Sequence, residues 1–121
     1  MFYAFLRLII LVFLVALAMR LIRWAILQFR GSLSVDHLAQ LKRRNALVLD
    51  VRTRAEYADG HVAGSLNIPL NELSDRLREL DPARPVIACC ASGARSAKAK
   101  GMLEAAGFRE VFNAGPWKNA R

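Results

Sequence analysis

Cysteine occurs only twice in the 121 residues, at Cys89 and Cys90, and histidine only at His37 and His61. Neighbouring residues of a strand point to opposite faces, so the pair is unsuited to an ordinary structural disulfide, and no secreted disulfide framework exists. The same four side chains lack metal-ligand spacing and are too few for a zinc site, so neither a metal nor another cofactor is expected. Aromatic residues make up 8% of the chain and form no stripe interleaved with basic side chains, which argues against a nucleic-acid partner despite the net charge of +8. The short length excludes a multidomain enzyme, and the 55% apolar content excludes intrinsic disorder.

The apolar residues that are present are unevenly placed. Residues 1–30 contain 25 of them, interrupted by Arg7, Arg20, Arg23, Gln28 and Arg30, whereas the remainder has an ordinary globular share. Leu8–Met19 is uninterrupted, and apolar sequence resumes through Phe29. A helix from Phe2 to Phe29 is about 42 Å long at roughly 1.5 Å per residue, enough for a hydrocarbon core of about 30 Å. Arg7, Arg20 and Arg23 then reach the headgroups, and Trp24 suits the interface. Residues 1–30 are therefore expected to be a single transmembrane anchor, residues 31–34 a linker, and residues 35–121 the domain.

Orientation follows from charge. Residues 1–44 carry seven basic and one acidic side chain, and most of the basic ones follow the apolar run. The more basic flank stays inside, which places the domain in the cytoplasm. Ala16-Leu17-Ala18 offers a cleavage pattern, so a signal peptide and a periplasmic or secreted domain form the alternative, with an in-plane amphipathic helix as a third.

Beyond Gly31-Ser32, Ser34 is placed to cap a helix over Val35–Arg44 with Leu38 and Leu41 inward. Strands are expected at Ala46–Asp50, Ser65–Ile68, Pro85–Cys90 and around Val111-Phe112. Between them lie a helical turn at Arg54–Asp59, a helix capped by Asn71 and running to Leu80, and a helix ending near Ala106 with Gly107 beyond it. That last helix is expected to turn Ala99, Met102, Leu103 and Ala106 inward, and NAGPWKNAR reads as a tail. Alternation of strands and helices predicts an α/β fold, a parallel sheet covered by helices on both faces, with any site beyond the strand carboxyl ends.

Chemistry concentrates after the third of these strands. The small residues Ala91, Ser92, Gly93 and Ala94 allow successive N–H groups to converge in an anion-binding nest. The following helix directs its positive end at the same place, and Arg95 adds a charge. Such surroundings lower the pKa of the Cys90 thiol and hold an anionic sulfur species, so the nucleophile needs no histidine base.

With these residues, the chain resembles the rhodanese (thiosulfate sulfurtransferase) family in its single-domain form, over about Ser34 to Trp117. The matching pieces are LVLDVRTRAEY, GHVAGSLNIP, CASGARS and AAGFREVFNAG. The resemblance implies a rhodanese-like parallel sheet and a sulfurtransferase in which Cys90 becomes a persulfide. It implies substrate binding by Ala91, Ser92, Gly93, Ala94, Arg95 and Ser96, with Asp50, Arg52 and Glu56 in a supporting charged network. Substrates would be a small anionic sulfur donor, thiosulfate by default, and a thiol or cyanide-like acceptor. Ala63 and Ser65 depart from the usual proline and alanine after the histidine. Related phosphatases place five residues between cysteine and arginine, which would select Cys89, whereas the four residues between Cys90 and Arg95 follow the sulfurtransferase pattern. A phosphatase and a catalytically idle binding or redox-sensing module remain the alternatives. His61 is expected at a strand start in a structural role, His37 solvated, Cys89 packed in the core, and Lys98 and Lys100 on a solvated face.

Overall fold

The computed structural model describes residues 1–29 and 33–121, with side chains excepted at 26–29; the expected Gly31-Ser32 junction and Arg30 lie outside the described residues. The chain divides into two compact units, Met1–Arg30 and Gly31–Arg121. The first is helix α1 (Phe2–Phe29), within which Phe2–Ala25 is long and apolar enough to cross a membrane.

In the second unit, α2 (Val35–Arg43), β1 (Leu47–Asp50), α3 (Arg54–Ala58), β2 (Leu66–Asn67), α4 (Leu70–Arg76), β3 (Val86–Cys90), α5 (Ala94–Ala105) and β4 (Val111–Pro116) follow in order. All strand pairings are parallel, in the order β2-β1-β3-β4. β1 and β3 are central and wholly buried, which is why they read as continuous apolar runs. Side chains alternate across the sheet. Leu47, Leu49, Val86 and Cys90 join Leu73 of α4 and Ala99 and Leu103 of α5 on one face, while Val48, Ile87 and Cys89 join Leu38 and Leu41 of α2 on the other. Leu103 is fully buried, so truncation to alanine would cost about 2–5 kcal/mol.

Several local expectations are corrected. β1 starts at Leu47 because Asn45 (φ 60°) closes α2 in a left-handed conformation and Ala46 N–H still bonds to the Leu41 carbonyl. Ser34 caps α2 as expected, its side chain accepting from the His37 N–H, and Leu33 before it packs against the second core cluster. Asn71 does not cap α4: Pro69 precedes the helix, which starts at Leu70, whose N–H bonds to the Val51 carbonyl. The helix tightens to 3₁₀ geometry at Leu77–Glu79, and spacing of three brings Leu77 and Leu80 to the same core. Ala106 is exposed, since it lies past the last helical residue, with Gly107 (φ 93°) completing the turn. His61 precedes a turn, with Ser65 N–H bonded to the Val62 carbonyl, and β2 contains only Leu66 and Asn67.

The largest correction concerns the end of the chain. β4 continues to Pro116 and is followed by a 3₁₀ turn at Trp117–Ala120, whose Ala120 is buried. Continuation is possible because Ala88 pairs with Asn113 but Cys89 with Gly115, a bulge that accommodates the extra residue Ala114. β4 is an edge strand, where Pro116 is tolerated.

Candidate active site

β3 ends at Cys90, and the turn Ala91–Gly93 leads directly into α5. Ala94, Arg95 and Ser96 thus belong to the first turn of that helix, whereas the expected loop included Ala94 and Arg95. Gly93 has φ 102°, and a Cβ there would lie 3.1 Å from Gly115 Cα, so both conformation and space require glycine. This backbone turn points the Gly93 N–H at Cys90 Sγ, 2.9 Å away. The Ser96 Oγ approaches the same sulfur at 3.3 Å. Burial alone would push the Cys90 thiol up, but the Ser96 hydroxyl and the N–H groups of Ser96, Gly93 and Ser92 prevail and hold it below its ordinary value. Cys90 itself has no exposed surface, while the next two residues, Ala91 and Ser92, are exposed.

Cys89 points to the opposite face. Burial and the Asp50 carboxylate push its thiol up to about 12, with Arg52 only partly opposing them. β3 ends on Cys90, with four residues between it and Arg95.

Arg95 differs from expectation in direction. Its guanidinium is paired with Glu56, Nη1 to Oε1 at 2.8 Å and Nη2 to Oε2 at 2.9 Å. Glu56 is also the third residue of the capping box that starts α3 at Thr53. Arg95 and the Thr53 N–H hold its carboxyl down at about 2. Asp50 and Arg52 form a buried ion pair at the end of β1, with Arg52 Nη2 2.7 Å from Asp50 Oδ2. The same Arg52 donates to the Gly60 carbonyl at 2.7 Å and lies over the Trp117 ring, so it ties α3, the following turn and the chain end together. This pair is linked to the Arg95 side through Glu56, whose carbonyl accepts from Arg52 Nη1 at 3.3 Å.

The other polar residues fall outside the loop. His61 is exposed, stacked on Tyr57 and within 2.8 Å of the Tyr57 carbonyl through Nδ1. His37 is exposed with its ring edge-on to Phe112. Lys98 is exposed, and Lys100 pairs with Glu104. Sequence reasoning missed Asn113, whose Oδ1 lies 2.6 Å from Ser96 Oγ. A lone asparagine ahead of Ala-Gly reads as a turn former, and the pairing of β4 with β3, which sets Asn113 opposite Ala88, brings it beside α5.

Residues 34–115 match the family model described as Rhodanese-like domain. An uncharacterised protein of Bacillus subtilis, YqhL, is 37% identical over 70 residues, which cover 58% of this chain and 56%, little over half, of that protein. Thiosulfate sulfurtransferase GlpE of Pseudomonas fluorescens is 32% identical over 78 residues, 64% of this chain and 72% of that protein. Among solved structures, the human single-domain sulfurtransferase TSTD1 superposes with a TM-score of 0.62 at 26% identity, covering 74% of this chain and 93% of that one.

Proposed function

The chain belongs to the rhodanese-like family, and from that premise we propose that it is a membrane-anchored sulfurtransferase that carries sulfane sulfur as a persulfide on Cys90. The observation that carries this reading is the convergence of the Gly93 N–H and the Ser96 hydroxyl on the Cys90 sulfur. Relatives named thiosulfate sulfurtransferase support the same chemistry.

In the proposed reaction the Cys90 thiolate attacks the outer sulfur of a donor such as thiosulfate. The new bond joins Sγ to that sulfur, the S–S bond of thiosulfate breaks, and sulfite leaves with the bonding pair. The resulting persulfide anion extends into the turn of Ala91, Ser92, Gly93, Ala94, Arg95 and Ser96, where N–H donors and the positive end of α5 stabilise its charge. A thiolate or cyanide then takes the outer sulfur and Cys90 recovers its thiolate. Cys90 is fully buried and the residues that follow it, Ala91 and Ser92, are exposed, so the donor approaches from their side. Arg95 acts mainly through Glu56, bracing the turn against α3, and Asp50 and Arg52 support α3 from beneath.

Residues 1–30 act as a retained single-pass anchor, with the domain on the cytoplasmic side where the basic flank stays. Anchoring confines the domain to the bilayer surface and raises its effective concentration for membrane partners. Intact-mass measurement of the full chain in detergent after exposure to thiosulfate, or to a persulfide donor, tests the reaction. Gain of one sulfur atom, removed by cyanide and absent in Cys90→Ser, is the expected result. No gain with either donor leaves the binding or redox-sensing module as the better reading.

A further inference from the structure

The Ser96 hydroxyl has one proton and three acceptors within reach: Asn113 Oδ1 at 2.6 Å, the Gly93 carbonyl at 3.2 Å and Cys90 Sγ at 3.3 Å. Asn113 decides among them, because its own amide is oriented by two partners of fixed character. The Gly115 N–H, which can only donate, lies 2.9 Å from Oδ1, and the Gly93 carbonyl, which can only accept, lies 3.1 Å from Nδ2. A reversed amide would set donor against donor and acceptor against acceptor. Oδ1 therefore faces Ser96 as an acceptor.

While Cys90 is a thiol, the Ser96 hydroxyl donates to Oδ1 and accepts from the S–H. When the thiol proton leaves to water, the hydroxyl turns about Cβ–Oγ and donates to the thiolate, while Oδ1 keeps its bond from Gly115. Only a hydrogen moves. The bond to Oδ1 is made in the thiol state and given up in the thiolate state, so Asn113 holds the Ser96 proton back from the sulfur; without it the hydroxyl keeps only the longer contact with the Gly93 carbonyl three residues back, made from the same position.

We propose that Asn113 is a positioning residue that tunes Cys90, competing with its thiolate for the single proton of the Ser96 hydroxyl. It acts through Ser96 and does not touch the sulfur. This inference rests on Cys90 being the nucleophile. Charged groups near the site are Arg95 on α5, paired with Glu56 of α3, and Asp50 and Arg52 on the β1 side, paired with each other. Cys89 points away on the other face, and β4 brings no charge of its own. None of these is altered by a neutral substitution at Asn113.

The test is the pH dependence of Cys90 modification by iodoacetamide in the full chain in detergent, located by peptide mass mapping. The midpoint of the profile reads the thiolate and does not depend on sulfur transfer, so failure of this inference is separable from failure of the sulfurtransferase reading. Asn113→Ala is expected to lower the midpoint by about one pH unit, speeding modification up to about tenfold at pH values below the midpoint. Ser96→Ala is expected to raise it, and the double variant to match Ser96→Ala alone, since Asn113 acts through Ser96. An unmoved or raised midpoint in Asn113→Ala, or a double variant that differs from Ser96→Ala, overturns the proposal. Should Asn113→Ala not fold, the neutral Asn113→Leu keeps the volume and removes the same hydrogen bonds. Its midpoint is expected to fall as far, and an unmoved or raised one overturns the proposal equally.

Discussion

Cys89 and Cys90 are adjacent on one strand and equally buried, yet the two faces of the sheet give them opposite chemistry. On the Cys89 face the sulfur packs among Leu38, Leu41, Val48 and Ile87, with the Asp50 carboxylate near it, and its thiol is driven up to about 12. On the Cys90 face the neighbours include the Gly93 N–H and the Ser96 hydroxyl, and its thiol is held low. The ease of ionisation is set by the donors aimed at the sulfur; burial is common to both residues and opposes ionisation in each.

The contrast breaks most completely by exchanging the sulfur. Cys90→Ser is expected to abolish sulfur loading, whereas Cys89→Ser retains it, as read by the mass gain after donor exposure. Loading that followed Cys89 instead would reverse the register. Next in size is the Cys89 face itself, where Arg52→Met leaves the Asp50 carboxylate buried without its partner. Urea unfolding should record a loss of about 3–5 kcal/mol, because an uncompensated buried charge costs more than a missing contact.

Titration sharpens the comparison further. Below the lowered pKa of Cys90, its loading rate should fall about tenfold per pH unit as thiolate is lost, while Cys89 stays unreactive until near pH 12. The stability effects have opposite signs. Between the lowered Cys90 value and the ordinary thiol range the unfolded chain holds a proton that the folded chain has lost, so this group makes stability rise with pH. From the ordinary range toward 12 the folded chain retains the Cys89 proton, so that group makes stability fall. Denaturant midpoints measured across pH in Cys90→Ala and Cys89→Ala would separate the two slopes. The smallest effect belongs to Glu56→Gln. The Arg95–Glu56 pair is about one-third exposed, so its loss should cost no more than about 1 kcal/mol in thermal unfolding.

The cysteine, its loop and the central strands were legible because each is local. VIACC is too apolar to be anything but a buried strand, and ASGAR after it provides the turn and the helix start within a few residues. Leu38 and Leu41 showed the inner face of α2 by spacing alone. The caps and ends were read less well. Asn71 has the side chain of a cap, but the Leu70 bond to the Val51 carbonyl starts the helix earlier. The segment after Phe112 looked like a tail because Asn, Gly and Pro favour turns, and its pairing partner, β3, lies more than 20 positions away.

The sequence by itself determined the apolar first segment, the alternation of strands and helices and the turn of small residues after Cys90, since these depend on periodicity and on neighbours along the chain. Tertiary structure alone decided that Arg95 turns to Glu56, that Asp50 and Arg52 pair in the interior, and that Asn113 bonds to Ser96. Those contacts depend on which strands and helices the sheet register sets side by side. Shifting register by one residue moves a side chain to the opposite face, and no local pattern in the chain specifies which partner it then meets.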